Sequence, residues 1–227
     1  MKSLYDSIPN FRDIGGYLGN LGKIKTGVIF RSGNLSKISM NDLISLQNQG
    51  IKTVIDLRSE NAKARDIDPT ANHHHFIYRS FFIKAGERLP LSEKDNFSIY
   101  QEMFSSKEEL LPILKQIIVG EKGILIHCSA GKDRTGVVVS LLLSIAMVSI
   151  RDINQEYLLS FDDLADHLSN LKHRNIHVSS AYYTKDEAFL PAIFDWIENR
   201  YGSIENYYQY LGLTSSEIQT IQKILIE

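Results

Sequence analysis

The sequence predicts an α/β domain with a mainly parallel central sheet flanked by helices and a helical C-terminal part. Three observations carry this expectation. Val28-Ile29-Phe30, Lys52-Thr53-Val54-Ile55-Asp56-Leu57 and Ile124-Leu125-Ile126 are short apolar runs rich in β-branched residues, the composition of buried strands. Longer segments with apolar residues at helical spacing lie between and after them. Strands that alternate with helices pair in parallel, because each helix carries the chain back across the sheet before the next strand begins.

The individual elements follow in order. Gly15, Gly16, Gly19, Gly22 and Gly27, with Tyr17-Leu18 and Lys23-Ile24 between them, predict a tight hairpin ahead of the Val28 strand. Ser39 suits a helix N-cap, Leu43, Ile44 and Leu46 form an apolar face, and Gly50 stops that helix before the Lys52 strand. Phe76-Ile77-Tyr78 gives a weaker strand signal. Helices are expected over Phe97–Phe104 and Glu108–Val119, and Gly123 introduces the Ile124 strand. A long helix is expected from Arg134 or Thr135 to about Val148. The chain from Asp152 onward reads as mostly helical. Within it, Phe189, Leu190, Ile193, Trp196 and Ile197 set a helical period over Asp186–Arg200, and two short helices follow at Ile204–Leu211 and Ser215–Ile226. No repeat, low-complexity tract or linker interrupts the chain, so residues 1–227 are read as a single domain.

Composition narrows the function. Hydrophobic residues make up 43% and charged residues 23%, the balance of a soluble globular protein. A net charge of -2 gives no global attraction for nucleic acid or anionic membrane, so any anion recognition has to be local. The single cysteine, Cys128, rules out an internal disulfide and a cysteine-rich metal site, and it fits a reducing, cytoplasmic compartment. Met1–Pro9 holds no apolar run and so no signal peptide of the usual form; secretion by another route stays open. Val137–Ile150 is too short to span a bilayer and carries Ser140 and Ser144, so it is read as a buried core helix, with no stable membrane insertion expected. His73-His74-His75 reads as a surface loop or strand end, since adjacent side chains on an extended chain point to alternate faces; no metal is expected there. Asn34-Leu35-Ser36 and Asn96-Phe97-Ser98 match the glycosylation sequon, which has no meaning without secretion. Arg12, Asp13 and Arg31 are read as an ion-pair network that fixes the N-terminal segment to the sheet.

The segment that carries chemistry is His127-Cys128-Ser129-Ala130-Gly131-Lys132-Asp133-Arg134-Thr135-Gly136, between the Ile124 strand and the Val137 helix. A tight loop at a helix N-terminus turns successive backbone N–H groups inward, so Ser129, Ala130, Gly131 and Lys132 would form a nest for phosphate. Gly131 permits the turn, and Arg134 closes the loop with a planar fork that holds two phosphate oxygens. The same field favours a thiolate at Cys128, below the free thiol value of about 8.5, and the thiolate is then a nucleophile toward phosphorus. The Thr135 hydroxyl can hydrogen-bond the sulfur. A lone cysteine is commonly no more than a small core residue, but a cysteine, five residues and an arginine between an apolar strand and a helix make a far more specific constellation. The lysine phosphate loop of nucleotide-binding proteins does not fit, because Lys132 is followed by Asp133 rather than Ser or Thr.

The His-Cys-x5-Arg pattern is the signature of cysteine-dependent tyrosine and dual-specificity phosphatases. The longer form here, HCSAGKDRTG, resembles that of a bacterial tyrosine-phosphatase-like family with lipid phosphatase activity. The resemblance extends to Asn10–Gly16, Arg31–Ser36, Val54–Glu60, Tyr157–Ser160 and Tyr201–Tyr207, which together span nearly the whole chain. It implies a phosphomonoester hydrolase that works through a cysteinyl-phosphate without a cofactor. The implied substrate is tyrosine-phosphorylated protein, with phosphoserine/threonine and phosphoinositides as further substrates. It also implies a general acid at Asp133, since Trp196-Ile197 offers no Trp-Pro-Asp loop. Asp56 is the alternative acid, because active sites of open α/β sheets gather at the C-terminal ends of strands. Asp133 can equally be a solvated carboxylate or the ion-pair partner of Lys132. Lys132 is either a solvated loop residue or an extension of the positive site, as in phosphoinositide phosphatases; Ser129 speaks against strong inositide specialisation. Arg58 is read either as a substrate contact at the site mouth or as a structural ion pair. Two other functions compete: a phosphate-binding module without turnover, which has no need of Cys128, and a thiol redox enzyme, which lacks a second cysteine to resolve it.

Overall fold

The computed structural model describes residues 4–227; Met1, Lys2 and Ser3, where the segment read for a signal peptide begins, lie outside them. Among the described residues seven strands form: β1 (Arg12–Asp13), β2 (Leu18–Gly19), β3 (Gly22–Lys23), β4 (Ile29–Ser32), β5 (Thr53–Asp56), β6 (Ile77–Ser80) and β7 (Ile124–His127). The main sheet has the order β1-β4-β7-β5-β6, and β4, β7, β5 and β6 pair in parallel. The expected hairpin is β2-β3. The antiparallel edge strand β1, which pairs Arg12 with Arg31, was not legible in two residues of sequence.

Around the sheet lie α1 (Leu4–Ser7), α2 (Met40–Asn48), α3 (Glu60–Arg65), α4 (Glu93–Ser105), α5 (Lys107–Val119), α6 (Asp133–Ile145), α7 (Ile150–Leu158), α8 (Ala165–His173), α9 (Ser180–Tyr183), α10 (Phe189–Tyr201), α11 (Ile204–Tyr210) and α12 (Ser215–Leu225). Alternation along the strands divides the core in two. Ile29, Ile55, Ile124 and Ile126 join the larger cluster with α4–α7 and α10–α12, whereas Phe30, Val54 and Leu125 join the smaller one with Leu43 and Leu46 of α2. Both faces of the sheet are therefore covered, which is why these strands lack a polar face.

Helix starts follow their caps. Ser39 caps α2 in a reciprocal capping box with Asp42. Ser92 accepts from the Asp95 amide and starts α4 four residues earlier than apolar periodicity predicts. The apolar helix α6 is buried on nearly every side, as expected of a core helix. It begins at Asp133 and ends at Ile145, before Met147 turns the chain with φ 58°.

Candidate active site

The strand β7 is central, and its C-terminal end lies between those of β4 and β5. The loop from Cys128 to Lys132 leaves β7 there and feeds α6. Its shape is fixed by what holds its carbonyls. The Asn34 amide donates to Ser129 O (3.1 Å), Asn10 Nδ2 donates to Ala130 O (2.8 Å), Arg31 Nη2 donates to Gly131 O (2.5 Å), and the Gly136 amide donates to Lys132 O (2.8 Å). In a trans peptide the N–H points opposite to the carbonyl, so outward-tied carbonyls turn the following amides inward. Gly131 has φ +73°, and a Cβ there would lie 2.7 Å from the Ser32 carbonyl and the Gly33 nitrogen, so only glycine fits.

Cys128 is 2% exposed yet lines a cavity of about 620 Å³ together with Ser129, Ala130, Asp133 and Arg134. Burial alone raises its thiol pKa. The Arg134 charge and hydrogen bonds from the Thr135 side chain and amide outweigh burial, so the thiol stands below its ordinary value. Among the described residues the buried Thr135 hydroxyl has no geometric hydrogen-bond partner, and its pull toward the sulfur enters as one of the causes that lower the thiol. Arg134 donates from Nη1 to Leu57 O (3.2 Å) and from Nη2 to Ser129 Oγ (3.2 Å), while its buried Nε has no partner. The 3-10 turn Ala85–Glu87 lies against its aliphatic stem at Gly86.

Asp133 lines the cavity. Its Oδ1 accepts from Tyr100 OH (2.8 Å) and pairs with Lys132 Nζ (2.6 Å). The solvated-carboxylate reading of Asp133 does not hold, and neither does the solvated-loop reading of Lys132. Lys132 is fully buried, with its ammonium 4.8 Å from the Phe161 ring centroid and 4.4 Å from that of Tyr182. It does not line the cavity, so it does not widen the positive site in this conformation.

Asp56 and Arg58 sit behind the loop rather than in it. Asp56 is fully buried and does not line the cavity. Burial pushes its carboxyl up, but His127, Arg58 and Tyr78 together hold it below the usual carboxylate range. A carboxylate held ionised and out of contact with the cavity is a poor proton donor, which corrects the expectation of Asp56 as alternative acid. Arg58 spends its donors on Asp56, Asn34 Oδ1 (2.9 Å) and Asp66 O (2.8 Å), so it is the structural ion pair and not a contact at the mouth. His127 Nε2 is 3.1 Å from Asp68 and 3.8 Å from Asp56. Burial disfavours its charged form, but the two carboxylates raise its pKa above the ordinary imidazole value. Asp56, Asp68 and His127 bring three potential metal-ligand atoms within 4.8 Å of one another, and the Arg58 guanidinium already pairs with Asp56 and lies 3.9 Å from Asp68. The three adjacent histidines are not such a group: His73 and His74 stack on each other, and His75 Nε2 contacts Ile51 O.

The network expected at Arg12 and Arg31 forms. Both pair with the buried carboxylate of Glu156 and both donate to Ser160 Oγ at 2.9 Å. Asp13 departs from the expectation: it accepts from the amides of Gly15 (2.8 Å) and Gly27 (2.6 Å) and shapes the turn. Sequence reasoning missed Asn10, Asn34, Tyr100, Gly86 and His167. Asn10 and Asn34 sit inside the N-terminal motifs, yet their partners in the loop, Ala130 and Ser129, lie far along the chain. His167, on α8, lines the cavity. Burial first, then the charges of Arg134, Lys132 and Arg174, lower its pKa to about 4, so its ring is neutral.

A cysteine thiol held below its ordinary value, an arginine and a tight loop at a helix N-terminus meet at the C-terminal edge of a parallel sheet. Residues 4–227 match the tyrosine phosphatase family, and the chain belongs to it and is a phosphatase. It is 30% identical over 221 residues to a Cupriavidus necator chain described as a candidate tyrosine-protein phosphatase, covering 89% of this chain and 81% of that one. It is 25% identical over 218 residues to a tyrosine-protein phosphatase of Nostoc commune, covering 88% and 74%. It is 24% identical over 268 residues to the triple specificity protein phosphatase PtpB of Mycobacterium tuberculosis, covering 96% of each chain. Among the described residues no helix is long and apolar enough to cross a membrane.

Proposed function

We propose that this protein hydrolyses phosphotyrosine in proteins through a cysteinyl-phosphate at Cys128. The observation that carries the reading is the coincidence of a thiol held below its ordinary value, the Arg134 guanidinium and the Ser129–Ala130 part of the loop in the lining of one cavity. The dianionic ester enters the loop with its oxygens on the inward loop amides that follow the tied carbonyls and on Arg134. The Cys128 thiolate attacks phosphorus as the bond to the leaving oxygen breaks, and Asp133 gives that oxygen its proton. Water then attacks the phospho-enzyme, Asp133 takes its proton, and the thiolate leaves with a hydrogen bond from Thr135. The amides and Arg134 hold the equatorial oxygens throughout, where the transition state needs donors already in place. The cavity extends past the phosphate loop to Ile38, Leu171, Ile176 and Tyr182, which gives an aryl ring and its flanking peptide apolar surface to rest on.

The test is turnover of phosphotyrosine peptide, phosphoserine peptide and phosphoinositide by wild type and Cys128→Ser, with acid-quench trapping of labelled enzyme. The expected result is a labelled cysteinyl-phosphate in wild type, no turnover by the variant, and phosphotyrosine peptide as the best substrate. Turnover by Cys128→Ser overturns the mechanism, and a clear preference for phosphoserine peptide or phosphoinositide overturns the substrate assignment.

A further inference from the structure

Asp133 opens α6 and lines the cavity, and among the described residues its hydrogen-bond and ion-pair partners all meet one oxygen, Oδ1. Tyr100 OH and Lys132 Nζ both converge on Oδ1, at 2.8 Å and 2.6 Å. Among the described residues nothing hydrogen-bonds Oδ2. A phenol has one proton to donate. Because Tyr100 spends its proton on Asp133, the 2.7 Å contact between the Tyr100 and Tyr157 hydroxyls has Tyr157 as donor. The hydrogen bonds therefore run in one direction, from Tyr157 on α7 through Tyr100 on α4 to Asp133 on α6.

Both tyrosines are 1% exposed. Burial, with the Asp133 charge, holds the Tyr100 hydroxyl well above its ordinary pKa, and burial likewise raises that of Tyr157, so both remain donors. The rings are locked as well. Tyr100 and Tyr157 meet edge to face at 6.1 Å, and Phe189 of α10 packs on the Tyr100 ring at 4.8 Å. Neither phenol lines the cavity, so neither reaches a substrate.

We infer that Tyr100, braced by Tyr157, is a positioning residue that fixes the Asp133 carboxyl with Oδ2 toward the leaving oxygen and stabilises the carboxylate left after the proton is delivered. The inference rests on the reading of Asp133 as the acid. In the first step the S–P bond forms at Cys128, the bond from phosphorus to the leaving oxygen breaks, and the proton on Oδ2 passes to that oxygen. Asp133 is then a carboxylate that accepts from Tyr100 and Lys132. In the second step water attacks phosphorus, its proton returns to Oδ2, and the P–S bond breaks to restore the thiolate. A fixed Oδ1 keeps Oδ2 in one place through both transfers, which proton transfer at hydrogen-bond distance requires.

The experiment compares Tyr100→Phe, Tyr157→Phe, Asp133→Asn and Tyr100→Phe/Asp133→Asn on p-nitrophenyl phosphate, whose leaving group needs little protonation, and on an alkyl phosphate, whose leaving group needs much. Tyr100→Phe should lose roughly tenfold in kcat on the alkyl ester, a fraction of what removal of the acid itself costs, and about twofold or less on p-nitrophenyl phosphate. Inhibition by vanadate should be unchanged, because the anion nest is intact. Tyr157→Phe should show a smaller loss with the same selectivity. Adding Tyr100→Phe to Asp133→Asn should cost nothing further on either ester, since the phenol acts only through the carboxyl. Equal losses by Tyr100→Phe on both esters, or losses that add fully in the double variant, overturn the inference. If Asp133→Asn is itself unselective, the acid reading falls and the inference with it. If Asp133→Asn is selective and Tyr100→Phe is not, only the positioning role falls.

Discussion

Cys128 stands where burial by itself favours a neutral thiol, and three groups reverse that preference: the Arg134 charge, the Thr135 hydroxyl and the Thr135 amide. Its reversal has a sign that can be measured. A thiol below its ordinary value is ionised at lower pH, so, on the proposed mechanism, the acid limb of kcat/KM, where protonation of Cys128 stops the reaction, sits below the usual thiol range. Thr135→Ala removes a donor to the charged form, so the thiol rises and the acid limb moves to higher pH. A hydrogen bond to a charged group is worth about 1.5–3 kcal/mol, which corresponds to roughly one to two pH units. An unchanged limb in the pH profile of Thr135→Ala would place the stabilisation in Arg134 and the amide alone. Arg134→Lys keeps the charge but loses the fork that donates to Leu57 O and Ser129 Oγ and, on the proposed mechanism, to the phosphate oxygens. Its kcat on phosphotyrosine peptide should fall by roughly a hundredfold or more, the scale of losing a preorganised transition-state donor. A lysine variant within a few-fold of wild type in both kcat and KM would remove the bidentate role.

Elements set the site by bringing distant backbone close to the phosphate loop, and the turn Ala85–Glu87 is the tightest case. A Cβ on Gly86 would lie 2.5 Å from Arg134 Cγ and 2.7 Å from Met103 Sδ. The turn is held from both ends, by the Ser59 hydroxyl on Glu87 and by Glu109 on the Lys84 amide. Arg134 and Met103 are therefore the side chains that must move in Gly86→Ala. Vanadate inhibition should weaken by about tenfold, because a guanidinium displaced by a fraction of an ångström loses its paired geometry. Thermal stability should fall by less than in a core truncation, since Gly86 backbone angles suit alanine. Full retention of vanadate affinity would show that Arg134 has room to spare. None of this was legible in the sequence, where Ala85-Gly86-Glu87 carries no periodicity. What was legible were elements whose signal is local: the three buried strands, the Ser39 cap, the all-round apolar α6 and the loop between β7 and α6. Strand β1 and the orientation of Tyr100 depend on partners far along the chain, and local pattern does not encode a partner.

The whole molecule is tied to its loop through one buried carboxylate. Glu156 on α7 pairs with Arg12 of β1 and Arg31 of β4, and Arg31 in turn donates to the Gly131 carbonyl. An ion-pair network was legible in the sequence because Arg12 and Arg31 flank glycines at strand ends; its counter-ion was not, because Glu156 lies more than a hundred residues away. Arg31 is fully buried; burial first, then the like charge of Arg12, against the pull of Glu156, lower its guanidinium to about 10. Among the described residues Arg12 and Arg31 share one carboxylate partner, Glu156. Glu156→Gln keeps the shape and removes the charge, which leaves Arg31 buried without a counter-ion. Breaking such a pair costs about 3–5 kcal/mol. In a domain of this size each kcal/mol moves Tm by about 2–4 °C, so the drop should be roughly 6–20 °C. Arg12, which is partly exposed, should matter less, and Arg12→Ala should lower Tm by a smaller amount. The loop supplies a second readout. With Arg31 free to swing from Gly131 O, that carbonyl loses its outward anchor and the Lys132 amide its inward direction, so vanadate should bind more weakly to Glu156→Gln at temperatures where the variant remains folded. A lower Tm with unchanged vanadate affinity would mean that Asn10, Asn34 and the helix N-terminus shape the loop without help from the network.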